Sequence, residues 1–184
     1  MPITAQQAFE AYRTADLLHS EQAVEAALDR MADQITLQLA DSNPLLLCVL
    51  TGGIIPTGKL TTRLDFPLQL DYLHATRYRG ATRGGELNWI AHPSISLRDR
   101  VVLVIDDILD EGATLAAIIE HCRSEGASQV FSAVLVDKLH DRKYDNLKAD
   151  FTGLEVPDRY VFGYGMDYKD YLRNAPGIYA VQGA

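Results

Sequence analysis

The chain has 184 residues, 47% of them hydrophobic, and its 17 basic and 25 acidic side chains give a formal net charge of −8. This length fits a single domain over 1–184, and the mix of apolar and charged residues excludes a disordered or fibrous chain. No apolar run approaches the roughly 18 residues of a membrane span, no basic-then-apolar leader opens the chain, and the acidic balance opposes a nucleic-acid surface; a cytoplasmic protein with neither a membrane nor a nucleic-acid partner is expected.

In chain order, residues 1–42 read as N-terminal helices. Thr4 with Gln7 resembles a capping box, and Ser20 can cap a second helix whose Val24, Leu28, Met31, Ile35 and Leu39 share one face. Asn43-Pro44 breaks the chain before Leu45 to Leu50, an apolar run of the kind that parallel strands bury on both faces. Pro56 to Leu64 is expected to form a short helix, and Leu68, Leu70 and Tyr72 a half-buried strand. From Arg77 to His92, Gly80, Gly84 and Gly85 are interleaved with Arg79 and Arg83, the composition of a hairpin or lid. Val101 to Ile105 and Val130 to Val136 are two more buried strands, separated by a helix from Ala113 to Ser124. Strands alternating with helices predict an α/β fold around a mainly parallel sheet. Cys48 and Cys122 read as buried thiols, too few and too far apart for a disulfide framework or metal cluster.

Ligands of open α/β sheets lie beyond the carboxyl ends of the strands, so the residues after each apolar run matter most. Gly53-Ile-Ile-Pro-Thr-Gly58-Lys59 has the G-x-x-x-x-G-K spacing of a P-loop, which would suit a nucleotide kinase. Leu60 stands where a metal-binding hydroxyl should follow, and Pro56 removes a backbone donor from the cradle. A second reading starts at Asp106-Asp107-Ile-Leu-Asp110-Glu111-Gly112-Ala113-Thr114. A buried strand delivers two carboxylates to the sheet edge, and a turn at Gly112 leads into a helix whose free amides and Thr114 hydroxyl suit a phosphate. Carboxylates beside a phosphate cradle make sense for a phosphorylated sugar, whose ribose hydroxyls Asp106 and Asp107 can accept directly or through magnesium.

This segment closely resembles the 5-phosphoribosyl 1-pyrophosphate (PRPP) motif of the type I phosphoribosyltransferases, and residues from about 45 to 173 resemble their hypoxanthine-guanine branch. The resemblance implies that family's α/β fold, with a central mainly parallel sheet, flanking helices, a small hood and a lid at 77–92. It implies transfer of phosphoribosyl from PRPP to a 6-oxopurine in purine salvage, Mg2+ as cofactor, and a homodimer or homotetramer. By the same resemblance, Asp106 and Asp107 bind ribose and metal, and Asp110 to Thr114 (Asp110, Glu111, Gly112, Ala113, Thr114) hold the 5′-phosphate. Asp110 lies beside purine N7 as proton acceptor or base orienter. Thr51, Gly52, Gly53 and Arg173 hold pyrophosphate, Lys138 donates to the 6-oxo group, Tyr160 stacks on the purine, the Val161 backbone reads its edge, and Asp167 binds metal.

The chain departs from the family pattern in four places. Thr51 replaces a common Lys or Arg, Asp106 shortens a Glu, Glu111 takes the place of a Ser or Thr, and Arg77-Tyr78 replaces a Ser-Tyr pair. Like charges repel, so the Glu111 side chain is expected to turn from the phosphate while its N–H serves. Arg77, Arg79 or Arg83 could supply the charge missing at Thr51. An inactive PRPP-binding regulator is the alternative from another class, although such proteins usually add a basic surface that this chain lacks.

Overall fold

The structure, a computed structural model, describes residues 3–77 and 87–183. Helix α1 (Ala5–Thr14) starts on the expected capping box, with Thr4 and Gln7 bonding reciprocally. The helical reading of the first forty residues then needs correction, because Asp16–Ser20 is a strand, β1. Its partner is β9 (Gly177–Ala180) at the other end of the chain, which no local spacing announces. Ser20 caps α2 (Glu21–Leu39) as expected, accepting the Ala23 N–H at 3.3 Å.

Five strands run parallel in the main sheet: β2 (Leu45–Val49), β3 (Gln69–Arg77), β5 (Val101–Leu109), β6 (Gln129–Leu139) and β7 (Phe151–Pro157). The antiparallel β4 (Leu87–Ala91) completes the order β4-β3-β2-β5-β6-β7. Period-two alternation sorts the apolar runs between two cores. Leu46, Leu103, Ile105 and Leu135 pack with Leu28, Met31 and Ile35 of α2. Leu45, Leu47, Val102, Val104 and Val134 face the other way, against Leu115, Ile118 and Cys122 of α4 (Ala113–Ser124). Leu45, Leu46 and Leu47 are fully buried, each contributing roughly 1.5–3 kcal/mol of transfer free energy. Both cysteines are free and buried.

Two features extend beyond the sequence reading. β5 continues through the Asp106-Asp107 pair to Leu109, and α3 begins at Ile54 (Ile54–Thr61), with Pro56 in its first turn. β1, β9 and β8 (Val161–Phe162) form a separate antiparallel sheet, in the order β1-β9-β8, which is the hood. Tyr12, Phe162 and Tyr179 tie it to α1, with the Tyr12 and Tyr179 rings edge to face at 5.0 Å. Arg77 is the last residue of β3, while Tyr78, Arg79 and Arg83 of the expected lid lie outside the described residues. Among the described residues no helix is long and apolar enough to cross a membrane.

Candidate active site

The carboxyl ends of β2 and β5, the start of α4 and the loop after β8 border an open cleft of about 470 Å³. Into it the structure gathers Gly52, Asp106, Asp107, the run from Asp110 to Thr114, Asp167 and Arg173. A larger hollow of about 540 Å³, between α4 and the segment Tyr144 to Asp150, contains none of the acids Asp106, Asp107 or Asp110.

Asp106 and Asp107 follow the buried part of β5, and Asp107 is only 8% exposed. Burial, then the neighbouring Asp107 charge, pushes the Asp106 carboxyl well above the ordinary range. Burial also raises Asp107, although bonds from Asp106 and the Ile108 N–H, with the charge of Arg173, pull the other way. Two adjacent acids that are costly to ionise together form a hard-oxygen site whose repulsion a divalent cation would relieve. Asp167 lines the same cleft but is otherwise engaged: its Oδ1 lies 2.9 Å from Arg173 and its Oδ2 accepts the Asp170 N–H at 2.7 Å. Among the described residues no group of three His, Cys, Asp or Glu side chains is gathered around one metal position.

The loop after β2 needs its glycines. A Cβ on Gly53 would stand 2.6 Å from the Val49 carbonyl oxygen, and one on Gly165, at φ +111°, would stand 2.1 Å from the Gly52 carbonyl oxygen. The Leu50–Thr51 peptide is cis, and Thr51 is exposed. Arg173 donates to the Gly165 carbonyl at 2.7 Å, joining the loop after β8 to this rim of the cleft.

Across the cleft, Gly112 at φ +87° turns the chain into α4 and offers no side chain to cap it. The first amides of the helix are therefore available to an anion. Glu111 is exposed, and its carbonyl accepts the Tyr144 N–H at 2.7 Å. Asp110 receives Lys138 Nζ on Oδ2 at 2.6 Å and His140 Nε2 on Oδ1 at 2.8 Å. Burial raises its carboxyl, but these two bonds outweigh that effect and hold it below the ordinary value.

The model for the phosphoribosyl transferase domain matches residues 14–170. The chain belongs to the phosphoribosyltransferase family. It is 35% identical to the hypoxanthine-guanine phosphoribosyltransferase of Bacillus subtilis, over 88% of this chain and 90% of that protein. It is 30% identical to the hypoxanthine-guanine-xanthine phosphoribosyltransferase of Tritrichomonas foetus, over 88% of each. The crystal structure of a Staphylococcus aureus hypoxanthine phosphoribosyltransferase superposes with a TM-score of 0.86 at 29% identity, covering 91% of each chain.

As a phosphoribosyltransferase, the chain has the type I fold of that family, and neither the P-loop kinase nor the inactive regulator is supported. Lys59, the P-loop candidate, points to α2, where its Nζ lies 2.6 Å from Glu25. Not every expected residue lines the cleft itself. Lys138 reaches it through Asp110, and Tyr160, 43% exposed, stands edge-on to Tyr168 with its hydroxyl 3.4 Å from the Lys169 nitrogen. The Val161 side chain is buried in the core while its backbone pairs with Ala180.

Sequence reasoning missed the residues behind the loop from Asp110 to Thr114. Lys143 donates to the carbonyls of Leu109 and Asp110, both at 2.7 Å, and to Asp137 Oδ1 at 2.6 Å. Leu147 packs under Gly112, within 3.0 Å of where a Cβ would be. The only signal was proximity in sequence to Lys138, because a loop rich in Asp, Lys and Arg otherwise reads as solvated surface.

Proposed function

We propose that this phosphoribosyltransferase serves purine salvage, transferring the 5-phosphoribosyl group of PRPP to hypoxanthine or guanine and yielding IMP or GMP with pyrophosphate. One observation carries the reading: a single cleft joins the Asp106-Asp107 pair, an uncapped helix N-terminus and the Asp110–Lys138 ion pair, in a chain whose relatives bear that enzyme's name.

In this reading the first amides of α4, with Thr114, hold the 5′-phosphate, and Asp106 and Asp107 hold the ribose hydroxyls. The amides of Thr51, Gly52 and Gly53 together with Arg173 meet the pyrophosphate. Oxygen ligands from Asp106 and Asp107 fit Mg2+, which takes one or two carboxylates and completes its shell with water and phosphate oxygens; Asp167 is the further candidate ligand. When bound, Mg2+ neutralises charge on the donor's phosphates.

The purine N9 attacks C1′ as pyrophosphate departs, and the ribose gains oxocarbenium character. The chain's own part is to present amides and Arg173 already aimed at the growing negative charge. Lys138, drawn away from Asp110, donates to the 6-oxo oxygen and so disfavours a 6-amino purine, which offers a donor there. Asp110 accepts the hydrogen at N7; held below the ordinary carboxyl range, it is a weak base and acts chiefly as an orienter. Tyr160 stacks on the base and the Val161 backbone reads its edge. A cytoplasmic homodimer or homotetramer completes the reading.

The test mixes purified protein, Mg2+ and PRPP with hypoxanthine, guanine, xanthine or adenine and follows nucleotide formation. IMP or GMP is expected, with none formed when Mg2+ is chelated. Absence of product with every base overturns the proposal.

A further inference from the structure

The Asp110 carboxylate has two partners, and only one of them has a role in the reading above. His140, in the turn after β6, is otherwise unused, yet its side chain is only 3% exposed and aims Nε2 at Asp110 Oδ1. The opposite ring nitrogen, Nδ1, accepts the Arg142 backbone N–H at 3.1 Å. An acceptor nitrogen carries no proton, so the ring is neutral, with its hydrogen on Nε2 and donated to Asp110. The two partners of Asp110 differ in freedom. Lys138 reaches Asp110 on a long four-carbon stem from the penultimate position of strand β6, whereas His140 is held at both ring nitrogens, by the Arg142 N–H of its own turn and by the Asp110 carboxylate.

We infer that His140 is a positioning residue for Asp110, holding the carboxylate in place and ionised when Lys138 swings to the 6-oxo oxygen of the purine. This rests on the purine reading, since only there does Lys138 leave Asp110. Without His140, departure of Lys138 would free the carboxylate to rotate away from the base at the moment it is needed. The ring does not relay a proton onward, because the Arg142 N–H occupies the nitrogen that would have to accept one.

Two measurements test this, one of them independent of turnover. In nitrogen-15 side-chain spectra of the wild-type protein, His140 is expected in the Nε2–H form with a proton protected from exchange, and Asp110→Ala should abolish that protection. A ring in the Nδ1–H form, or protection unaltered in Asp110→Ala, overturns the inference even if the protein turns over no purine. In kinetics, His140→Leu is expected to lower kcat about tenfold or more, the size of one hydrogen bond to a charged group, with the KM for PRPP within about twofold of wild type. His140→Gln, which retains an N–H donor, should recover most of that loss. Unchanged kcat in His140→Leu, or equal losses in both variants, overturns it; failure of the wild type to make nucleotide overturns the purine reading and leaves the spectra to decide the contact.

Discussion

Gly52 and Asp107 lie so close that a methyl group on Gly52 would stand 1.9 Å from Asp107 Oδ2. The loop after β2 and the acid at the end of β5 are thus fitted to each other, and the absence of a side chain on one sets the place of the other. Gly52→Ala is expected to displace the carboxylate, which is short but ends in movable atoms, while the sheet beneath stays intact. The measurable result is a fall in kcat/KM for PRPP of about 100-fold with a melting temperature within a few degrees of wild type. Equal activity in the variant would show that the fit has no catalytic consequence.

Lys143 is the next residue to alter. Its side chain is 15% exposed, and its ammonium bonds the Leu109 and Asp110 carbonyls together with Asp137. Lys143→Met keeps the length of the chain but leaves three acceptors without their donor. A loss of about 2 kcal/mol is expected, which thermal unfolding would show as roughly 4–8 °C for a chain of this size.

Substitution of Tyr160 tests the proposed base contact separately from the proposed phosphate contacts. The residue is 43% exposed and lies outside the buried core, so Tyr160→Ala removes little core packing. The KM for hypoxanthine or guanine should rise about tenfold, the size of one lost aromatic stack, while the KM for PRPP stays unchanged. A parallel rise in both constants would argue for a change in the fold of the hood.

Acid stability should depend on Glu25, on α2, which does not line the cleft. The bond from Lys59, then that from the Tyr164 hydroxyl, with a further one from Arg63, outweigh burial and lower Glu25 from 4.5 to about 2. A carboxyl depressed in the fold contributes stability that is fully present above its unfolded pKa and is lost as the pH falls toward the folded one. Between pH 4.5 and 2 the wild-type melting temperature should therefore drop, and Glu25→Gln should flatten that part of the curve. An identical slope in the variant would assign acid lability to other carboxylates.

What the sequence disclosed follows from which forces are local. Within the three apolar runs, Leu45 to Val49, Val102 to Ile105 and Ser132 to Val136 are buried on both faces, so continuous apolarity marks them without knowledge of their neighbours. The strand β7 escaped notice because Gly153 and Pro157 break its pattern. Gly153 is required there by approach to the Leu135 carbonyl and Met31, contacts with residues remote in the chain. The loop from Asp110 to Thr114 was legible as a candidate site since acids, glycine and threonine follow one another in sequence. His140 and Lys143 were not, because the groups they hold lie on a different strand, and a charged residue in a polar loop looks alike whether it is solvated or clamped.

The pairing of β1 with β9 bears on how the chain matures. Asp16 lies opposite Ala180, so the hood closes only after Ala180 has left the ribosome, whereas β2, β5 and the loop from Asp110 to Thr114 can assemble once residues 45–124 have emerged. A nascent chain stalled before Gly177 would lack Ile178, which is wholly buried with Val24, Leu28 and Val161 in the finished molecule, and with that part of the core uncovered it would be a natural client for chaperones or proteases.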